Sequence, residues 1–416
     1  MQRRRTSGLG LATICLLTGL VLSPVAQAQQ ELRIGLPVEL SGRFVAFGAQ
    51  IKRGVETAVE TWKKVRGDKV AGRDIVLIER DTQSNNGTTV SVMGQLINSD
   101  KADILIGPGG SDSGAAAVPP WKQAADRPVW IVPGVSATVV EKQIGKDPYF
   151  FHTFPWTYHY HETIVAGLKQ ALGTGKKVAI VYSDGAYGRA HIEYARKYLK
   201  DGGFDIVDEE LIREGAPDFL PSLLKVRSAH PDIIYTLVQT NDAVLLAKQI
   251  YSAKLNVPYL IGTFQATLPE FKNSLGEVQD CWTGVNSYIM GLHAKADAKE
   301  PKLFPAGDEW EAAWRAKYNK DPEYMEAGSY ISAMLALLAV EQANATDRDH
   351  VAAALAAQAH DTIMGNSRFV PSEIALHQAF GRVIDFQLQK QGDAYKSVIF
   401  YPLDRADGKL QACPAQ

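Results

Sequence analysis

Cysteine is scarce in this chain, with three among 416 residues. One of them, Cys15, lies inside an N-terminal apolar run. So few thiols exclude a disulfide-dense scaffold and a cysteine-rich metal domain. Past that run, no stretch offers the roughly twenty uninterrupted apolar residues of a membrane helix. The nearest, residues 332–340, ends at Glu341 and Gln342 and reads as a buried helix. Charge of one sign is also missing: 44 Lys and Arg stand against 46 Asp and Glu, which gives nucleic acid no basic surface. No glycine-rich loop ends in Gly-Lys-Ser/Thr, no Gly-x-Ser-x-Gly elbow occurs, and no catalytic set emerges.

What is present starts at the N-terminus. Arg3, Arg4 and Arg5 precede an apolar run over residues 9–25, followed by Ala26-Gln27-Ala28. That is the pattern of a secretory leader cleaved near Ala28, so the mature chain is expected to begin near Gln29. Cys15 belongs to the discarded leader, because Ala12-Thr13-Ile14 lacks the small residue expected just ahead of a lipidated cysteine. Removing the three leader arginines takes 44 basic residues less three against 46 acidic ones, a net charge of about −5. Cys281 and Cys413 remain, in a compartment that permits disulfides. One bridge or two buried thiols are both open, since geometry and not count decides.

A mature chain of about 390 residues exceeds what one hydrophobic core serves, so two domains are expected. LRIGLPV reads as a strand, and residues 49–65 as a helix with Ile51, Val55, Val59 and Trp62 at helical spacing. DIVLIERD, a helix carrying Val92, Met93, Leu96 and Ile97, ADILIGP, a short helix and PVWIVP continue the alternation. From KKVAIVYSD the pattern restarts, through FDIVDEELI, PDIIYTLV and VPYLIG. Alternating strand and helix require parallel sheets with right-handed crossovers. The fold class is therefore α/β, two doubly wound lobes. Crossings are expected at residues 148–156, at 281–290 and near Ile363, Met364 and Gly365, while residues 293–308 read as a surface loop. Trp310, Ala313, Trp314 and Tyr318 share one helix face. The expected organisation is a leader over 1–28, one lobe from 29–151 and 284–363, and the other from 152–283 and 364–416.

At this level of detail the chain resembles a known family. IGLPVELSGRFVAFGAQIKRGVETAVE, GRDIVLIERDTQSN, ADILIGPGGSDSG, PVWIVPGVSAT, VAIVYSDGAYGR and a late MGNSRF are similar to the type I periplasmic solute-binding proteins of the branched-chain amino acid transport group. The resemblance covers nearly the whole mature chain. It implies two lobes joined by three crossings, closing on a small solute in the periplasm, a permease of the ABC type in the inner membrane as partner, and a monomer. It implies no cofactor, no metal and no enzymatic activity.

In open α/β sheets the crevice lies beyond the carboxyl ends of the strands, where helix N-termini offer N–H groups. ADILIGPGGSDSG fits, its glycines allowing close backbone approach ahead of Ser111, which on the residues alone also fits a helix N-cap. A dinucleotide loop fails, because Asp112 stands where the third glycine would be. By the resemblance, Ser111 matches the serine that bonds a solute carboxylate. Gly134 matches the position offering a backbone carbonyl, and Ser136 a hydroxyl position. Relatives commonly carry alanine and threonine at these last two places. Tyr187 and Phe47 match aromatics that pack on the solute, or they support their own helix starts. Where amino acid binders place a glutamate for the ammonium group, this chain has Phe264 with Gln265 beside it. An unpaired ammonium in a closed cleft is expensive. A carboxylate with an apolar or aromatic body, or an amide, suits such a wall better, with Gln239, Thr240 and Asn241 as neutral polar groups and Trp156 facing the ring. Asp112 or Glu39 could replace the missing acid.

His152, His159 and His161 cluster in sequence, but His159 and His161, two apart, do not share a helix face, and they read as hydrogen-bonding residues rather than metal ligands. The leading functional expectation is the binding component of an importer. A ligand-sensing periplasmic receptor handing its closed lobes to a membrane signalling protein, and an exported enzyme on the same architecture, are the alternatives.

Overall fold

The computed structural model describes residues 31–414; the expected leader and its cleavage point lie outside the described residues. Strand β1 (Glu31–Val38) runs through the middle of a six-stranded sheet with β2 (Lys69–Val70), β3 (Arg73–Asp81), β4 (Ile104–Ile106), β5 (Val129–Val132) and β6 (Phe150–His152), in the order β2-β3-β1-β4-β5-β6. All neighbours are parallel except β2 against β3. Parallel neighbours need crossover connections. Helices α1 (Val45–Arg66), α2 (Asn86–Asn98), α3 (Ser111–Gln123) and α4 (Thr138–Ile144) supply them. The strand pleat sorts side chains to two faces: Ile104, Ile106, Val129 and Ile131 join the core under α1, while Leu105, Trp130 and Val132 pack with Met93, Leu96 and Trp121 of α2 and α3.

After α5 (Thr157–Leu172), a second sheet forms from β7 (Lys177–Ser183), β8 (Asp205–Ile212), β9 (Ile233–Leu237), β10 (Tyr259–Ile261) and β11 (Trp282–Asn286), joined by α6 (Ala186–Gly202), α7 (Leu220–Ser228), α8 (Thr240–Ser252) and α9 (Pro269–Leu275). The chain then returns to the first sheet with α10 (Gly307–Tyr318), α11 (Tyr324–Ala343) and α12 (Arg348–Ala356). Helix α11 is buried from Tyr324 to Val340 and lies along α1, where Gln50 donates to Glu323 at 2.6 Å and Arg53 pairs with Glu326 at 2.6 Å. A helix apolar on all sides belongs inside a core. A hairpin of β12 (Ala359–Thr362) and β13 (Gly365–Arg368) follows, and β14 (Ile384–Gln391) and β15 (Ala394–Tyr401) complete the second sheet as β15-β14-β11-β10-β9-β7-β8. No helix among the described residues is long and apolar enough to cross a membrane.

Several expectations change. Helix α1 begins at Val45, four residues before its apolar spacing shows. Phe150–His152 join the first sheet, so the first passage narrows to 153–156. The loop 293–308 is pinned rather than free: Leu303 and Phe304 are buried, and Asp297 accepts the Asp361 amide at 2.9 Å. Ile363 and Met364 occupy the turn of the β12–β13 hairpin, and the return to the second sheet runs through 369–383, where His152 and Ala379 exchange a backbone bond of 2.8 Å. Helix α7, which the sequence pattern did not announce, sits between β8 and β9. Ala313 turns to solvent while Trp310 and Trp314 are buried.

Cys281 and Cys413 are joined by a disulfide with Cα atoms 5.2 Å apart, closing a separation of 132 residues. The tail is also held by Cys413 donating to the Pro258 carbonyl at 2.7 Å and Gln387 donating to the Gln411 carbonyl at 2.8 Å. A cross-link that closes so long a loop restricts the unfolded chain, so replacing both cysteines by serine should cost about 2–5 kcal/mol, read from chemical denaturation. An unchanged midpoint would show that the tail bonds suffice.

Behind α6 a buried chain of hydrogen bonds connects Tyr235 to His161 Nδ1 (2.8 Å), His161 Nε2 to His191 Nδ1 (3.0 Å) and His191 Nε2 to Ser136 (3.3 Å). Burial pushes His161 down to about 3 and His191 well below its usual range. Both stay neutral in the fold while the unfolded chain takes up their protons near pH 6.5, so their contribution is complete above that pH and is lost as pH falls toward the folded values. Buried Asp385 and Glu39 titrate above their usual range and act in the opposite sense. The histidine share is therefore read by difference: unfolding stability of His161→Gln should fall less steeply than that of the parent between pH 6.5 and 4, by about 1.4 kcal/mol per pH unit. Parallel curves would refute it.

Candidate functional site

The strand order in the first sheet reverses between β3-β1 and β4, and the crevice beyond the carboxyl ends is where such folds take ligands. Nearly every residue facing that crevice follows a strand end by a few positions. Gly109, Gly110 and Ser111 come after β4, Gly134 and Ser136 after β5, and Phe154 after β6. Across the cleft, Tyr187 follows β7, Gln239 follows β9 and Phe264 follows β10. Phe47 in the first turn of α1 and Tyr324 at the start of α11 complete the wall. The space between them is about 10 Å³, roughly one water, so a solute enters only when the lobes part.

Phe264 is the centre of this contact. Its ring lies 5.9 Å from Phe47, 5.7 Å from Tyr187 and 5.7 Å from Tyr324, and Tyr324 stacks on Phe154 at 5.3 Å. These centroid distances and crossed planes are those of favourable aromatic pairs. Gln265 does not face the cleft. Its Oε1 accepts from the Thr263 amide at 2.8 Å and its Nε2 donates to the Val238 carbonyl, which holds the turn carrying Phe264. The Tyr187 hydroxyl pairs with Thr263 Oγ1 at 2.5 Å, tying its ring to the same turn.

Trp156 is absent from the wall. It is fully buried, stacked on His152 at 3.6 Å among the side chains of α2 and α3. Thr240 and Asn241 line a neighbouring groove of about 350 Å³ with Arg43, Glu214 and Asp242, at the cleft mouth. Phe154 and Tyr324 went unread in the sequence. A signal for Tyr324 exists in Glu323 and Glu326, whose reciprocal capping marks the helix start.

Three acids near the cleft are engaged elsewhere. Glu39, fully buried, accepts from the amides of Gly109 (3.2 Å) and Gly110 (3.0 Å), and burial raises its carboxyl against the lowering effect of those two bonds. Asp112 accepts from the Ala186 amide of the opposite lobe at 3.1 Å and pairs with Arg43 at 3.4 Å. Glu214 pairs with Arg43 from across the cleft, and burial pushes it up to about 7 with the guanidinium opposing. Arg43, Asp112 and Glu214 thus latch the lobes at the mouth. Among the described residues, no carboxylate lines the cavity.

The Ser111 and Ser136 hydroxyls at the cleft can donate. Helix α3 begins with Ser111 as its first residue and Gly110 at the cap, so Ser111 is not the cap, and its hydroxyl has no partner among the described residues. For Ser136 the direction follows from counting protons. If Tyr235 donates to His161, His161 to His191 and His191 to Ser136, every buried proton of the chain is used and only the Ser136 hydrogen stays free, toward the cleft. The reverse direction would strand the Tyr235 hydrogen in the core. Gln239 adds an amide whose Oε1 is unpartnered. At Gly134 a Cβ would lie 2.3 Å from Met325 Sδ, so the close approach of α11 requires glycine here. At Gly109 a Cβ would lie 2.8 Å from the Phe47 Cβ, which keeps that aromatic against the loop.

The sequence matches a family model described as periplasmic binding protein over residues 31–393. The Leu/Ile/Val-binding protein homolog 3 of Brucella melitensis biotype 1 is 25% identical over 347 residues, 80% of this chain and 84% of its own. A solved leucine binding protein, LivK from Thermotoga maritima, superposes with a TM-score of 0.77 at 18% identity over 90% of this chain and 99% of that one. The solute binding protein of an ABC transporter from Rhodopseudomonas palustris, in complex with 3,4-dihydroxy benzoic acid, gives 0.74 at 22% identity over 92% of this chain and 98% of its own. At such identities the solved structures speak to the fold. Family and neighbours alike are binding proteins rather than enzymes. With the family model spanning most of its length and two α/β lobes meeting at a cleft, the chain belongs to the periplasmic binding protein family.

Proposed function

We propose that this protein is the solute-binding component of an ABC importer and that its solute is a small carboxylic acid with an aromatic or apolar body and no amine. The observation carrying this reading is the composition of the cleft wall: five aromatic rings, the hydroxyls of Ser111 and Ser136 as free donors, and no carboxylate. A solute carboxylate accepts from the two hydroxyls, each such charge-assisted bond being stronger than a neutral one. The solute's body lies among Phe47, Phe154, Tyr187, Phe264 and Tyr324, and the Gln239 amide pairs a ring hydroxyl or amide. An ammonium group would meet Phe264 and lose its hydration without a counter-ion. Closure follows because the solute touches both lobes only when they are shut, and differential contact of that kind shifts the equilibrium. The neighbour holding 3,4-dihydroxy benzoic acid supports the reading to the extent that the fold admits a ligand of this class.

The test is thermal unfolding of the mature protein from Gln29, refolded free of bound solute, with benzoate, 4-hydroxybenzoate, 3,4-dihydroxybenzoate and leucine. Ligands of the native state raise the midpoint by mass action. The aromatic acids should raise it and leucine should not, and Ser111→Ala should weaken the best acid by about 1–2 kcal/mol. Phe264→Glu restores an acid at the wall and should shift preference toward leucine. Stabilisation of the parent by leucine alone would overturn the assignment.

A further inference from the structure

A cavity of about 530 Å³ lies outside the cleft, on the side of the crossing segments, within the size range of small-molecule sites. Its walls come from both lobes: Glu141 on α4, Tyr158 on α5, Tyr194 and Tyr198 on α6, and the return segment through Arg368, Gln378 and Phe380. That segment is fixed rather than loose. Val370 and Gln378 exchange backbone bonds of 2.9 and 3.0 Å, and the His152 amide donates to the His377 carbonyl at 3.0 Å.

Two buried polar atoms on this wall are left over. Glu141 is fully buried, and its Oε1 accepts from Ser372 Oγ at 2.6 Å and from the Tyr158 hydroxyl at 3.1 Å, while Oε2 has no partner. Gln378 is 3% exposed. Its Oε1 lies 3.5 Å from the Tyr158 hydroxyl, and its Nε2 has no partner. Buried polar atoms are nearly always paired, so an orphan acceptor and an orphan donor flanking one tyrosine hydroxyl call for a ligand edge with the complementary pair. The charges around the cavity balance, Glu141 and Glu373 against Lys197 and Arg368, which suits a neutral ligand. The remaining wall is aromatic, with Tyr158 and Tyr194 rings 5.6 Å apart and Phe380 edge-on to His159 at 4.5 Å.

We propose that this cavity is a second ligand site, taking a small planar aromatic molecule that carries a hydrogen-bond donor and acceptor side by side, an aromatic primary amide being the simplest case. Glu141 Oε2 and Gln378 Nε2 expose almost no surface, so the amide N–H meets the first and the amide oxygen the second once the two side chains turn toward the cavity, while the ring lies among the tyrosines and Phe380.

Nicotinamide is the probe, titrated into the full mature protein and followed by ligand-observed NMR. Binding is expected at about millimolar strength or tighter, as for a ligand of so few atoms. Tyr194→Ala and Gln378→Leu should each weaken it at least tenfold, with circular dichroism unchanged. Ser111→Ala, in the cleft, should leave it unaltered. Should either cavity variant misfold, intermolecular NOEs from the nicotinamide ring to Tyr194 and Tyr198 in the parent take its place. The proposal is overturned by no binding to the parent, by full binding to a folded Tyr194→Ala, by loss of binding in Ser111→Ala, or by the absence of those NOEs.

Discussion

The contact of one phenyl ring with three others governs this molecule. Phe264 projects from the second lobe into a cage of Phe47 and Tyr324 from the first lobe and Tyr187 from its own. The same side chain that joins the lobes therefore gives the middle of the cleft wall an apolar, uncharged surface. Its position is enforced from behind by Gln265 and Thr263, whose hydrogen bonds hold the turn and anchor Tyr187. A specificity element made of packed rings and a fully bonded turn has little freedom to rearrange, since an unpaired amide in that place would be costly.

Charge in the rest of the cleft is managed by keeping acids occupied. Glu39 takes the Gly109 and Gly110 amides of the loop that leads into α3. The polar groups left facing the cavity are the Ser111 hydroxyl, the Gln239 amide and the hydroxyl of Ser136, which ends a hydrogen-bonded chain that begins at Tyr235 in the opposite lobe. Arg43, Asp112 and Glu214 close the mouth with ion pairs and a backbone bond between lobes. The cleft thus combines an apolar centre, two hydroxyls and a charged rim, and the bonds of Asp112 and Arg43, like the contacts of Phe264 with Phe47 and Tyr324, span the two lobes. A solute that touched both walls would favour this closed arrangement by its differential contacts.

Much of the fold was legible because it rests on local rules. Apolar alternation and helical spacing identified most strands of both sheets, though β6 and β11 read as crossings, and many of the helices, and the ends of β4, β5, β7, β9 and β10 carry Ser111, Gly134 and Ser136, Tyr187, Gln239 and Phe264 into one crevice. The crossings were less legible. Residues 363–365 form a hairpin turn, and 369–383 follow the edge of β6, a pairing between segments far apart in sequence that no local pattern announces.

The sequence by itself therefore determined the α/β class, the glycine loop ahead of Ser111 and an aromatic ring just past a strand end at Phe264, because each depends on residue type and near neighbours. Tertiary structure alone decided that Trp156 is core and not cleft, that Phe154 and Tyr324 face the solute space, that Glu39 is spent on the loop, and that Cys281 meets Cys413. Those outcomes depend on which distant side chains share a surface. Strand and helix periodicity fix the direction of a side chain relative to its own element, whereas what it meets there is set by the packing of elements dozens or hundreds of residues away.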